Sequence, residues 1–141
     1  MAQSLNNLAA LYQATGQYAK AEPLYQRSLA IWEKALGPEH PNVARGLLNL
    51  AWLTAAQHDH ATANRLYQRG LRIEDRHIQE VFAFTTEEQK LQFIETIKWS
   101  ALAYLSMIHQ YLNRDPAAVR DGFETVLRRK GVVFDAEART R

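Results

Sequence analysis

Apolar residues in the first part of the chain recur every three or four positions, the spacing that places them on one face of a helix. Two such faces are separated by Gly16, where a glycine can supply a left-handed turn. The second face ends at Gly37-Pro38, because glycine can cap a helix and proline cannot continue it. Pro41, which suits a first helical turn, then opens the next helix. The two faces consist of Leu5, Leu8, Ala9, Leu11 and Tyr12, and of Ala21, Leu24, Tyr25, Ser28, Leu29 and Trp32.

The same pattern returns 42 residues later. Ser4–Lys34 aligns with Gly46–Arg76 without a gap, so that Leu24–Arg27 falls on the identical run Leu66–Arg69. A fixed period of this length is typical of helical repeats, in which each unit buries its apolar face against the next. The pattern therefore favours a binding or scaffolding surface over a pocket built around reactive groups.

The second unit lacks the glycine of the turn, because His58-Asp59-His60 stands where Gly16-Gln17-Tyr18 stands in the first. An aspartate can cap a helix or adopt a left-handed turn. We therefore expect the second hairpin to form with a somewhat costlier turn, and its second helix to run from about Ala61 to Arg76 or a little beyond.

The first unit resembles the tetratricopeptide repeat, in the 42-residue form found in kinesin light chains and many bacterial proteins. The matching motifs are N-L-A-x-L-Y at Asn7–Tyr12, G-x-Y at Gly16–Tyr18, A-E-P-L-Y-x-R-x-L at Ala21–Leu29 and the connector L-G-P-E-H-P at Leu36–Pro41. The resemblance covers about the first half of the chain. It implies an all-α fold of antiparallel helical hairpins, about six helices in all, stacked as a short right-handed superhelix.

After Arg76 the repeat is lost. Residues 78–84 carry no clear helical stripe, which predicts an irregular link. The run Thr85–Gln89 then predicts a helix start, because either threonine can cap and Glu88 or Gln89 can close a capping box. We accordingly divide the chain into 1–83, two hairpins and a link, and 84–141, a longer C-terminal hairpin.

Two long helices are expected in this C-terminal region. The first runs from Glu87 to about Tyr111, with an apolar face broader than that of a simple surface helix. Asp115 and Pro116 supply the cap and the first turn of the second, which Gly131 either ends or weakens. The apolar positions are Leu91, Phe93, Ile94, Ile97, Trp99, Ala101, Tyr104, Leu105, Met107, Ile108 and Leu112 on the first helix, and Val119, Phe123, Val126, Leu127, Val133 and Phe134 on the second.

Phe82–Leu91 and Glu124–Gly131 resemble a bacterial segment that lies between the tetratricopeptide repeats and the caspase-like CHAT domain of TPR–CHAT proteins. In that family the repeats serve as a sensor or docking arm, and the domain that follows is a cysteine protease. The chain contains no cysteine, so it cannot hold the His–Cys dyad of such a protease. The resemblance implies that any protease activity belongs to a longer parent protein, of which this chain is the interaction part.

The resemblance also implies which residues line a binding groove, because the first helix of each tetratricopeptide hairpin lines the concave surface. Asn7 and Asn49 match the family asparagine that can hold the backbone of an extended peptide, since an amide both donates and accepts hydrogen bonds. Trp52 is a candidate anchor, since exposed aromatic residues dominate interface energies. The other groove positions are Gln3, Asn6, Ala10 and Gln13 in the first unit and Arg45, Leu48 and Ala55 in the second.

Each of these candidates has a structural alternative. Asn7 and Asn49 can instead satisfy neighbouring helix ends or turns, and Trp52 can pack against a neighbouring helix. His58 and His60 flank a carboxylate, but a metal site needs a further ligand, so no metal and no cofactor is expected. The acidic residues lie on helix faces or at caps, and no glycine loop could cradle a phosphate, so the chain is not expected to be an enzyme.

Composition and charge narrow the range of partners. The net charge is only +2. The basic cluster Arg128-Arg129-Lys130 could meet an acidic partner or a nucleic-acid backbone, or be a solvated face at a helix end. It carries no interleaved aromatic residues, so nucleic acid is not an expected partner. The apolar run Trp99–Ile108 is shorter than the roughly 18 residues of a membrane span, and no secretion signal opens the chain. A cytoplasmic location follows as the default.

Two functions remain open at this point. The first is a protein-interaction module that docks a peptide or partner helix in its groove. The second is a structural segment that joins copies of the chain or positions a protease domain. Because solenoid arrays usually end in polar caps and neither end of this chain shows one, we expect homo-oligomers that form through the open ends.

Overall fold

The structure, a computed structural model, describes residues 1–84 and 86–138, without the side chains of residues 87, 88, 91, 92, 95–97 and 132–138. Regular secondary structure in these residues is helical throughout, which confirms the all-α class and the six expected helices. The chain forms two compact units, Met1–His77 and a second that begins at Ile78. The helices are α1 (Ala2–Ala14), α2 (Tyr18–Leu36), α3 (Pro41–Ala56), α4 (His60–Phe84), α5 (Glu87–Met107) and α6 (Pro116–Ala138), with a π-helical turn at Ile108–Leu112 after α5.

The two hairpin turns of the first unit have the same backbone design. Gly16 has φ 74° and His58, its equivalent 42 residues later, has φ 67°. In each turn the next residue donates its N–H to a carbonyl five residues back, Gln17 to Tyr12 at 2.8 Å and Asp59 to Thr54 at 2.9 Å. This bond belongs to the Schellman ending of a helix. The second hairpin therefore forms as expected, with the left-handed residue at His58.

Asp59 acts as a helix cap. Its Oδ1 accepts the backbone N–H of Thr62 at 3.1 Å, which satisfies one of the free donors at the start of α4. The hydrogen bonds from Thr62, above all that of its side chain, lower the pKa of the Asp59 carboxyl. At the start of α3, the Nδ1 atom of His40 accepts the N–H of Asn42 at 3.1 Å, and Pro41 occupies the first helical turn as expected.

The core of the first unit lies where α1 packs on α2 and α2 packs on α3. Tyr25 is buried at its centre and donates its hydroxyl hydrogen to Oε1 of Gln13 at 2.8 Å. Burial raises the pKa of the Tyr25 phenol. Two apolar clusters belong to this core: Ala9, Ala21, Tyr25, Leu50 and Leu53 form one, and Ala2, Trp32, Val43, Ala44, Leu47 and Ile73 form the other.

Residues 78–84 are helical, so the irregular link expected there is wrong. No glycine or proline interrupts the backbone hydrogen bonds of α4 in this stretch. Ile78, Val81 and Phe82 also form a short stripe that is buried or half-buried. The ring of Phe82 lies edge-on to that of Phe93, with 6.4 Å between centroids.

Helix ends in the second unit follow the expected local chemistry. Thr86 Oγ1 accepts the N–H of Gln89 at 3.4 Å and Gln89 Oε1 accepts that of Thr86 at 3.1 Å, which confirms the capping box. Asp115 Oδ1 accepts the N–H of Ala117 at 2.9 Å and caps α6. Because α6 continues to Ala138, Gly131 is tolerated inside the helix.

The buried face of α6 differs from the expected apolar face. Small and polar residues point inwards, whereas Phe123 and Leu127 are 63% and 66% exposed. On α5, Trp99 is also exposed, although most of the expected face is buried. Small side chains let α5 and α6 approach closely, which leaves the bulky residues outside. The inward residues of α6 are Ala118, Gly122, Thr125 and Arg129; the side chains of Leu91, Ile97, Val133 and Phe134 lie outside the described residues.

Candidate protein-interaction surface

Polar side chains on α1 and α3 form one network that joins the two hairpins. Gln3 Nε2 donates to Oδ1 of Asn7, one turn further along α1, at 2.7 Å. Arg45 of α3 donates to Oε1 of Gln3, its equivalent in the preceding unit. All three side chains are exposed. The surface of α1 and α3 therefore presents amide donors and acceptors together with a cation.

The Arg45 guanidinium also lies over the ring of Trp32, 5.1 Å from its centroid. The cation–π contact with Trp32 and the hydrogen bond to Gln3 together restrict the position of the guanidinium group. Periodicity predicts a core position for Trp32, which the structure confirms, but it does not predict the contact with Arg45. The sequence could have predicted the Arg45–Gln3 pair, because the two residues are 42 positions apart and equivalent positions of consecutive repeats lie next to each other.

Asn6 and Asn49 link the same two helices below this surface. Asn49 Nδ2 donates to Asn6 Oδ1 at 3.0 Å, and Asn6 is only 5% exposed. Asn6, a predicted groove residue, is thus an interior residue that holds Asn49, because its oxygen is already bonded and covered. The half-buried Asn49 and the exposed Asn7 are both bonded to amide side chains.

The remaining predicted groove residues divide between surface and core. Ala10 is exposed and Trp52 is half-buried, while Ala55 is fully buried. Gln13 is half-buried and accepts the hydrogen bond from Tyr25. Leu48 packs against α4, since a Cβ on Gly70 would lie 2.8 Å from its Cδ2 atom. Leu48 and Ala55 therefore contribute mainly to packing.

Few other groups in the part of the chain that the structure describes could bind a metal ion or a membrane. No group of three or more histidine, aspartate and glutamate side chains is arranged to hold a metal ion there. The rings of His58 and His60 meet edge-to-face with 6.0 Å between centroids. None of the described helices is long and apolar enough to cross a membrane.

Two stacked helical hairpins with a polar network across their first helices define a helical-repeat protein. The model of the tetratricopeptide repeat family matches residues 1–74, more than half of the chain. The chain therefore belongs to the tetratricopeptide repeat family. No curated protein shows a significant match to the sequence. Tetratricopeptide repeats in general are non-catalytic modules that mediate protein–protein interaction.

Proposed function

We propose that the surface formed by Gln3, Asn7, Arg45, Asn49 and Trp52 binds an extended peptide or a helix of a partner protein. The observation that carries the proposal is that two separate side-chain hydrogen bonds, Arg45–Gln3 and Asn49–Asn6, join α1 to α3. Side chains held in this way lose little conformational entropy on binding. Their amides suit the N–H and C=O groups of a peptide backbone, and Arg45 suits a carboxylate.

A selection from a displayed library of random peptides, with the full chain as bait, tests this proposal. Selected peptides should lose about tenfold or more in affinity for Arg45→Ala and Asn7→Ala variants, because both side chains are exposed and each is hydrogen-bonded to Gln3. Arg27→Ala on α2 is the matched control, since it removes an exposed arginine outside this surface. Binding that is unchanged in the first two variants, or equally reduced in all three, would refute the groove.

Sequence motifs support a more specific proposal about the protein to which these repeats belong. The C-terminal motifs at Phe82–Leu91 and Glu124–Gly131 support a role as the sensor or docking arm of a longer TPR–CHAT protein in the bacterial cytoplasm. The 42-residue spacing supports kinship with the repeats of kinesin light chains. Expression of the complete reading frame that contains this chain tests the first of these ideas, because it shows whether a protease domain accompanies the repeats.

A second candidate function is assembly of copies through the open side of α1. Leu8 and Leu11 are 41% and 60% exposed, whereas their equivalents Leu50 and Leu53 are 7% and 0% exposed. Leu50 and Leu53 are covered because they pack with Ala9, Ala21 and Tyr25 of the preceding hairpin, whereas Leu8 and Leu11 remain exposed. Exposed leucines in a repeat position that is normally buried favour self-association.

Sedimentation velocity over a range of concentrations tests the assembly. The wild-type chain should form oligomers at micromolar concentration that a Leu8→Asp, Leu11→Asp variant dissolves. Leu36→Asp is the control, because Leu36 is similarly exposed but lies at the end of α2. A wild-type chain that remains monomeric would exclude this second function and leave peptide binding untouched.

A further inference from the structure

A groove between α5 and α6 forms a second candidate binding site within the second unit. It encloses about 320 Å³ and has an apolar floor. Lys98 and Lys130 lie exposed at its rim, and Arg129 contributes a third cation to its lining. Its full lining consists of Lys98, Ala101, Leu102, Leu105, Val126, Arg129 and Lys130.

Arg129 lines this groove with a side chain that is held in place by the protein. The side chain is buried, and its Nη1 atom donates to Oγ of Ser100 on α5 at 2.5 Å. The expectation that Arg128-Arg129-Lys130 forms a solvated face at a helix end is therefore wrong for Arg129. It is also wrong for the helix end, because α6 continues beyond this cluster to Ala138.

Described acidic residues of α6 lie away from the groove. Asp121 and Glu124 precede Val126 by five and two residues. At about 100° per residue, both carboxylates lie roughly 140–160° around the helix from Val126. The described residues that line the groove are three cations and four apolar residues.

The apolar character extends beyond the groove itself. Leu102 is 56% exposed at its edge. Phe123 and Leu127 are exposed on α6, and they lie seven and three residues before Lys130, which places them on the same side of the helix. The apolar surface therefore extends along both α5 and α6 and is not confined to a closed pocket. A surface of this length can accommodate a partner helix.

We propose that this groove docks an acidic amphipathic helix of a partner protein. Apolar side chains of that helix at i, i+4 and i+7 would fill the floor between Leu102 and Val126. Carboxylates beside the stripe would meet Lys98 and Lys130, where charge complementarity sets orientation and partner choice. The site is separate from the α1–α3 surface, since all of its residues belong to the second unit.

A displayed library of helix-forming peptides about 15 residues long, roughly four turns, is the probe. Selection on the full chain should enrich peptides that combine a leucine or phenylalanine stripe with aspartate or glutamate. Their affinity should fall at least about tenfold for a Lys98→Glu, Lys130→Glu variant and fall with rising salt. Charge reversal at exposed positions leaves the core intact, and circular dichroism verifies the fold.

Arg120→Glu is the matched control, because it reverses an exposed cation on α6 outside the groove lining. Peptides enriched without acidic residues, peptides that bind the Lys98→Glu, Lys130→Glu variant as well as wild type, or a selection that enriches none would overturn the proposal. So would a wild-type dimer that Leu102→Asp dissolves, because a second copy would then cover the groove. Arg45→Ala should leave the binding of these peptides unchanged, which separates this test from that of the α1–α3 surface.

Discussion

The terminal carbon of Ile108 fills the space that a side chain on Gly122 would occupy. A Cβ on Gly122 would lie 2.4 Å from Cδ1 of Ile108 and 3.4 Å from Cδ2 of Leu105, so this glycine permits the close approach of α6 to the end of α5. Gly131, on the same helix, would meet nothing within 4 Å. The two glycines of α6 thus have different structural roles.

The same substitution at these two glycines should have different effects on stability. Gly131→Ala should stabilise the protein by about 0.5–1 kcal/mol, because alanine restricts the unfolded chain and favours helix. Gly122→Ala should be less favourable than this by about 1–3 kcal/mol, the usual cost of overpacking. Urea unfolding measures both. The destabilisation by Gly122→Ala should be smaller when Ile108 is replaced by valine, because valine lacks the terminal carbon that the new Cβ would meet. If the destabilisation is the same with valine at this position, the contact with Ile108 is not its cause.

The left-handed turns predict opposite effects at Gly16 and His58. Gly16→Ala should cost about 1–2 kcal/mol, because a Cβ is strained at its positive φ. His58→Gly should stabilise the protein by up to about 1 kcal/mol, since relief of that strain is partly offset by a more flexible unfolded chain. His58→Ala is the control, because it removes the imidazole and keeps the Cβ. Equal thermal midpoints for His58→Gly and His58→Ala would show that strain at this turn is negligible.

The buried amide pair predicts coupling between Asn6 and Asn49. Asn6→Ala should cost about 1–2 kcal/mol, because it leaves the Nδ2 donor of Asn49 without its acceptor. The double variant should cost less than the sum of the single variants, by about 1 kcal/mol. Asn7→Ala, at an exposed site, should change stability by no more than about 0.5 kcal/mol. Strict additivity in denaturant unfolding would argue against the pair.

The cap at Asp59 predicts a specific dependence on pH. Hydrogen bonds from Thr62 lower the pKa of this carboxyl below its ordinary value of 3.8, so the folded state favours the ionised form. Its contribution is therefore complete above pH 3.8 and is lost as the pH falls through the lower pKa of the folded state. At neutral pH the wild type should have a higher melting temperature than Asp59→Ala, and the difference between the two melting temperatures should become smaller in acid. Asp59→Asn retains a neutral cap, so its gap from Asp59→Ala should vary less with pH.

Local chemistry made much of this fold predictable. The capping box of Thr86 and Gln89, the cap at Asp115 and the break at Gly37 each depend on residues close together in sequence, and each is present. The error at residues 78–84 came from a short stripe, because Ile78, Val81 and Phe82 span little more than one turn. The placement of Asn6 in the groove failed for a different reason: family position does not specify which neighbour an amide will bond.

By itself the sequence determined the six helices, most of their ends and the 42-residue repeat, because propensity, capping and periodicity act over a few residues along the chain. Only the tertiary structure decided which faces are buried. Leu53 is covered while Leu11 is not, and Arg129 is inside while Phe123 is outside. The physical reason is that a helix with more than one plausible face buries the one that fits its neighbour, and that neighbour is distant in sequence.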